Sequence, residues 1–310
     1  MAAAIVIRTL FAVGLLPDPR PQRDMDHVVL GHRIQSSRQP ASVILVGDSS
    51  CLTGVSARQL SGELGMPVVN LGSVSTLGLD DFGRLAAEAM ASGVPHAVVL
   101  LVHPAFLRRP GPDPQMVALL EWLRRPEGRS PASRGWTGYA SWWLGLDAFR
   151  DRVEPWVRPE VMPGAFGVRY GFSRDLLGAM DADGGGVEDP GRFNPGAAVP
   201  LPPLELSPRL EAAASRFGGQ FPTTVTVAVG ITPVPESLAD PGEAARHRRA
   251  LEALAGWLGP QVVPLEDLPA VLPDGDFASA THLNGAGREA FTTRLAAALQ
   301  RRLPVPAAAR

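Results

Sequence analysis

The run HAVVLLVHP, His96 to Pro104, is the most hydrophobic segment of the chain. A continuous apolar run of strand length suits a strand buried on both faces, as in a parallel sheet covered by helices. Similar runs recur. SVILVG (Ser42 to Gly47) precedes a helical pattern at Ser56 to Leu64, and PVVNLG (Pro67 to Gly72) precedes GLDDFGRLAAEAMASG. After a long irregular stretch come a helical pattern near Pro208 to Phe217 and a fourth strand, TTVTVAVG (Thr223 to Gly230). PGEAARHRRALEALAGWLG follows, opening on Pro with an acidic residue and closing on Gly, as helix ends prefer. QVVPLE (Gln261 to Glu266) is the fifth strand, and a last helix spans about Ala286 to Arg302. Strands alternating with helices predict an α/β three-layer sandwich, with a five-stranded parallel sheet of flavodoxin-like order.

The pattern divides the chain. Residues 1–40 form an N-terminal segment, 41–104 and 205–303 the α/β core, 105–204 an insertion after strand three, and 304–310 a tail. The insertion is rich in Pro, Gly and Arg and holds Trp122, Trp136, Trp142, Trp143 and Trp156. These could line a groove for a sugar or acyl chain, or form the insertion's own small core. The apolar stretch Ala2 to Leu16 is interrupted by Arg8 and is short for a span, which needs ~20 apolar residues. It reads as the remaining part of a membrane anchor or as a helix packed on the domain. Localisation leans toward the cell envelope, with the cytoplasm as the alternative.

Composition removes several chemistries. All 29 basic residues are Arg, so there is no phosphate-cradling Lys, no Schiff base and no Lys general base. A net charge of −2 gives no electrostatic case for nucleic acid. Cys51 is alone, which excludes an intramolecular disulfide. His27 and His32 lack a third ligand nearby, so no metal is expected, and no cofactor. DADGGGVED (Asp181 to Asp189) looks like a calcium loop, but Arg192 stands where the bidentate acid belongs; it reads as a flexible surface loop.

Ligands of doubly wound sheets bind at the carboxyl ends of the strands. Ser49 follows strand one, Asn70 and Gly72 close strand two, and His282 lies between strand five and the last helix. Serine is a poor nucleophile until a base takes its proton, and His is the side chain suited to that at neutral pH. Backbone N–H groups at the turn after Ser49, with Ser50 beside it, and at Gly72 could stabilise an oxyanion. Asp48 reads as a residue fixing the turn, and Cys51 as a small packing residue. His103 either lines the pocket or is a satisfied strand-end histidine, and His247 in ARHRRA reads as solvated.

VGDSS around Ser49, NLG from Asn70 to Gly72 and THLNGAGREAF from Thr281 to Phe291 together resemble the SGNH (GDSL-type) hydrolase superfamily. The insertion lies outside the resemblance. It implies a serine-dependent acyl-ester hydrolase or O-acyltransferase, with Ser49 as nucleophile and His282 as general base. The substrate would be a small acyl ester or a saccharide. Two departures stand out. Members usually carry an Asp three residues before the histidine, where this chain has Ser279. The block after strand three usually supplies an oxyanion Asn, where this chain reads VHPAF with His103. The second departure makes the chain similar to the branch that includes exopolysaccharide O-acetyltransferases, which are membrane-associated. Asp276 could replace the missing acid, with Asp274 a poorer candidate; otherwise Ser279 or a backbone carbonyl would orient His282. The other readings are an inactive binding module of polysaccharide or cell-envelope assembly, and a nucleotide-binding flavodoxin-like domain. The last is disfavoured because Asp48 stands where a phosphate loop would be.

Overall fold

The computed structural model of the chain describes residues 25–109, 111–124, 176–199, 201–202 and 204–303. In chain order the main elements are α1 (Met25–Ser36), β1 (Val43–Gly47), α2 (Ser49–Gly54), α3 (Ala57–Leu64), β2 (Val68–Asn70), α4 (Leu79–Met90) and β3 (Ala97–Val102). Then come α5 (Pro104–Leu107), α6 (Pro114–Arg124), α7 (Leu176–Ala182), α8 (Pro208–Gly218), β4 (Thr226–Ile231) and β5 (Val234–Pro235). The chain continues with α9 (Glu243–Leu258), β6 (Val262–Pro264), β7 (Val271–Leu272) and α10 (Gly285–Arg302).

Five strands form one sheet in the order β2-β1-β3-β4-β6, and every pairing is parallel. The apolar runs are continuous because both faces are covered. Ile44, Val46, Val98, Leu100 and Val102 point into a cluster built with Phe82 and Leu85 of α4, Phe217 of α8 and Leu254 of α9. Val43, Leu45, Val99 and Leu101 point the other way, onto Leu60 of α3 and Phe291, Leu295 and Leu299 of α10. The period-two alternation of a strand thus divides each run between two cores. This is helix on sheet on helix, the three-layer α/β arrangement that the alternating pattern predicts. A separate two-stranded parallel pair, β5 with β7, is absent from that reading; each strand is two residues long, too short to show a pattern.

The N-terminal segment and the insertion both contribute to the first cluster: Val29, Leu30 and Ile34 of α1 are buried in it, and so are Phe106, Leu107, Leu120, Leu176, Met180, Val187 and Leu204 from 105–204. Among the described residues no helix is long and apolar enough to cross a membrane. The anchor expected at Ala2 to Leu16 and the groove expected of Trp136, Trp142, Trp143 and Trp156 lie outside the described residues, as does the side chain of Trp122.

Candidate active site

β1 ends at Gly47, and the chain turns directly into α2. Asp48 is the N-cap, with its carboxylate accepting the Ser50 N–H at 2.9 Å and the Ser50 hydroxyl at 2.6 Å. Its other oxygen accepts the His103 N–H from the end of β3 at 3.0 Å. Thr232, just after β4, donates to the Ser50 hydroxyl at 2.9 Å. One buried carboxylate therefore ties together the ends of three strands. Burial raises the Asp48 pKa, opposed by the hydrogen bonds from Ser50 and His103. Asp48 is thus the turn-fixing residue its sequence context indicates.

This turn presents Ser49 at the rim, half-buried, at the first position of α2. The Ser49 Oγ lies 2.9 Å from His282 Nε2. His282 arrives from a tight turn after β7. Its carbonyl accepts the Ala278 N–H at 2.9 Å, and its own N–H donates to the Ser279 hydroxyl at 3.1 Å. Ser279 therefore fixes the backbone of the histidine and does not orient its ring.

The ring is oriented by Asp189, whose Oδ2 is 2.9 Å from His282 Nδ1. The other oxygen, Oδ1, accepts the Gly191 N–H at 2.9 Å. An ionised carboxylate only accepts, so the imidazole proton sits on Nδ1 and the bare Nε2 faces the Ser49 hydroxyl. Asp189 is 5% exposed while Ser49 is half-buried, so the carboxylate is sheltered and the serine stands nearer the surface. This corrects the assignment of Asp276. Asp276 offers its backbone carbonyl to the Asn284 N–H and makes no hydrogen bond to the imidazole, and Asp274 accepts the Ser237 N–H.

It also corrects the reading of Asp181 to Asp189 as a flexible surface loop. Asp183 is buried, accepts the Ser56 hydroxyl at 2.5 Å and the Ala57 N–H at 3.2 Å, and pairs with Arg288. Gly184 O accepts the Asn70 N–H at 2.9 Å, and Val187 N–H donates to Leu52 O at 3.1 Å. Gly185 has φ +107, and a Cβ there would collide with Asn70 O. Only glycine lets the loop pass so close to the edge of β2. Arg33 of α1, wholly buried, donates to Asn70 O and Gly185 O, both at 2.7 Å; burial pulls its pKa down to about 9. The loop that carries Asp189 is thus held from four helices, α1, α2, α3 and α10, and one strand, β2. The three consecutive glycines were the sequence signal for it, since they mark a close backbone approach.

The remaining candidates are brought nearby in different roles. Asn70 is fully consumed: its amide donates to Cys51 O at 2.9 Å and Val55 O at 3.0 Å, and its Oδ1 accepts the Gly72 N–H at 2.7 Å. Gly72 passes over α2 with no room for a side chain, a Cβ lying 2.5 Å from Leu52 N. The two N–H groups expected to hold an oxyanion, those of Ser50 and Gly72, are therefore both engaged, by Asp48 and by Asn70. The Ser49 N–H has no acceptor among the described residues. Cys51 is buried and burial pushes its thiol pKa up, which suits a packing residue.

His103 is 2% exposed, and its Nδ1 accepts the Ala105 N–H at 3.1 Å. Burial, with lesser contributions from charge on His282, His247, Arg108 and Arg109, lowers its pKa to about 3. His247 is buried, contrary to the solvated reading, and burial lowers its pKa to about 4 despite Glu243 3.4 Å away. His32 is also buried, its Nε2 2.9 Å from Asp181; the side chain of His27 lies outside the described residues. Among the described residues no group of three or more His, Cys, Asp or Glu side chains is placed to hold a metal.

No protein-family model matches the chain, and neither do curated proteins or solved structures.

Proposed function

We propose that the chain is a serine-dependent acyl-ester enzyme of SGNH (GDSL) type. The observation that carries this reading is the hydrogen-bonded relay from Ser49 Oγ through His282 to Asp189, with 2.9 Å at each step. The strand order supports it as well: counted along the chain, the sheet's five strands run 2-1-3-4-5, which we read as flavodoxin-like.

In this mechanism Ser49 Oγ attacks the ester carbonyl carbon while its proton passes to His282 Nε2. The carbonyl electron pair moves onto oxygen, giving a tetrahedral oxyanion. Asp189 holds the imidazolium that results. Collapse breaks the carbon–oxygen bond of the ester, and the departing alkoxide takes the proton from His282 Nε2. The acyl group is then on Ser49. Water or a second hydroxyl gives its proton to His282 Nε2 and attacks the acyl carbon, forming a second tetrahedral oxyanion; its collapse breaks the bond to Ser49 Oγ, which takes the proton back from His282. With water the reaction is hydrolysis; with a sugar hydroxyl it is O-acyl transfer. A carbohydrate ester as substrate follows from the resemblance to the O-acetyltransferase branch.

A second reading, an inactive binding module, is favoured by one observation: the Ser50 and Gly72 N–H groups are both occupied. Turnover of an aryl acetate separates the two. The enzyme reading expects release of the phenol that disappears in Ser49→Ala and that a polysaccharide acceptor accelerates if transfer is favoured. A folded wild-type protein with no turnover above the Ser49→Ala background favours the binding module.

A further inference from the structure

The acid of the relay sits on a loop, and that loop is held by a charge with no counter-charge. Arg33 lies in the last turn of α1, wholly buried, and no carboxylate among the described residues pairs with it. Burial lowers its pKa only to about 9, so the guanidinium stays charged at neutral pH. Buried charges are ordinarily paired, because an unpaired one is costly to fold around. Its place here has a physical reason.

The reason lies at the edge of the sheet. β2 is an edge strand, with β1 on one side only, and an edge presents unpaired N–H and C=O groups. The Asn70 N–H is taken by Gly184 O at 2.9 Å, as in a strand pairing. A continued pairing would next bring an N–H to Asn70 O. Instead the Gly185 N–H turns back to Met180 O at 2.7 Å, and Gly185 presents its own carbonyl. Two acceptors then stand side by side and repel unless donors come between them. Arg33 supplies both, from Nη1 to Asn70 O and from Nη2 to Gly185 O, each at 2.7 Å. The rigid fork of a guanidinium reaches two carbonyls at once, which a hydroxyl or a ring N–H cannot. A Cβ on Gly185 would crowd Asn70 O and Arg33 Nη1 together, so the glycine is what admits the guanidinium.

α1 also holds the other end of the same turn. His32 Nε2 lies 2.9 Å from Asp181 Oδ1, and the Ser36 hydroxyl meets His32 Nδ1 at 3.0 Å. Two adjacent residues of one helix therefore fix residues 181 and 185. Gly186 and Val187, between that turn and Asp189, are buried and leave little slack to absorb a shift.

We propose that Arg33 is a positioning residue of the relay: by bridging β2 and the glycine turn it sets the Asp189 carboxylate on His282, which makes α1 a required part of the active site. The inference rests on the acyl-ester reading and extends its machinery to a helix that precedes the sheet. α1 then contributes more than the apolar contacts of Val29, Leu30 and Ile34, which an exchange of Arg33 leaves in place.

The test is the second-order rate of Ser49 labelling by a fluorophosphonate, per folded chain, in Arg33→Met and Arg33→Lys, each alone and combined with Asp189→Asn. A misplacement of a catalytic group by about 1 Å costs about 100-fold, and a loss of that order is expected for Arg33→Met. Arg33→Lys keeps the charge and an N–H donor and is expected to recover part of it. On top of Asp189→Asn, Arg33→Met is expected to cost less than about twofold more, because it acts through an acid already removed. The His282 Nδ1–H resonance, downfield in wild type, should move upfield in Arg33→Met. A purely structural role predicts a lowered unfolding midpoint with wild-type labelling per folded chain and an unmoved resonance, and that result overturns the proposal. Losses that simply add to those of Asp189→Asn overturn it too. If neither Arg33 variant folds, wild type decides in rising urea: labelling must be lost no later than hydrogen-exchange protection of the α1 amides, and labelling that outlasts it overturns the proposal. A folded wild type that never labels is a distinct result, which removes the acyl-ester reading and this proposal with it.

Discussion

Asp189→Asn is the substitution whose consequence can be worked furthest from the geometry. Asp189 Oδ1 accepts the Gly191 N–H and Oδ2 faces His282 Nδ1, both at 2.9 Å. An asparagine that keeps its oxygen on Gly191 turns its amide NH2 toward Nδ1. Nδ1 must then be the bare nitrogen, which moves the ring proton to Nε2. A protonated Nε2 cannot accept from Ser49, so the hydroxyl loses its base. The same change of tautomer in a serine protease costs about four orders of magnitude in turnover, or ~5.5 kcal/mol of transition-state stabilisation. The shape of the buried side chain is kept, so the thermal midpoint should move far less than activity. Pre-steady-state release of phenol from an aryl acetate measures the effect, with Asp276→Asn as the control expected to match wild type. Asp189→Asn acting within tenfold of wild type would refute the assignment, as would a large loss in Asp276→Asn.

Three further outcomes follow from the same structure. Arg288→Met leaves Asp183 buried without its partner and should destabilise the fold by about 3–5 kcal/mol, while Asp183→Asn combined with Arg288→Met recovers part of that loss; urea unfolding of both checks it. Gly72→Ala puts a methyl 2.5 Å from Leu52 N and should displace the loop after β2, read as a lowered unfolding midpoint together with slower Ser49 labelling. Stability should also fall as pH drops from about 6.5 toward 4. The folded pKa values of His103 (about 3) and His247 (about 4) lie below the ordinary 6.5, so the unfolded chain takes up protons the folded one refuses. The loss is up to ~1.4 kcal/mol per pH unit per histidine. His32 adds in the same direction, and Asp48 and Asp81, whose pKa values burial raises, offset part of it at the acid end. Urea titrations at a series of pH values measure the slope, and a flat profile would contradict the burial of these rings.

The sheet was readable because strands covered on both faces are apolar along their length, as β1 and β3 show directly, while β6 at the sheet's edge is only half-buried. Ser49 and His282 were readable for a related reason: each stands where a strand's path gives way to a helix. Asp189 was not, because it sits 93 residues from His282 in a Gly- and Pro-rich stretch with no periodicity. Its position is set by Asp183, Arg33 and Arg288, contacts that no local pattern encodes. The Ser50 and Gly72 donors were misjudged because short side-chain-to-backbone bonds from Asp48 and Asn70 claim them first. His247 was misjudged although a signal was present. Its spacing to Ala250, Leu251, Leu254 and Leu258 is the 3.6-residue stripe of a buried helix face, which the neighbouring arginines hide.

The central claim, that Ser49 is an activated nucleophile, is tested most directly by intact mass and peptide mapping after incubation with a fluorophosphonate. The account predicts one adduct per chain, on Ser49, present in wild type, absent in Ser49→Ala and formed far more slowly in Asp189→Asn. A folded wild-type protein that takes up no adduct, or one labelled at another residue, would contradict it.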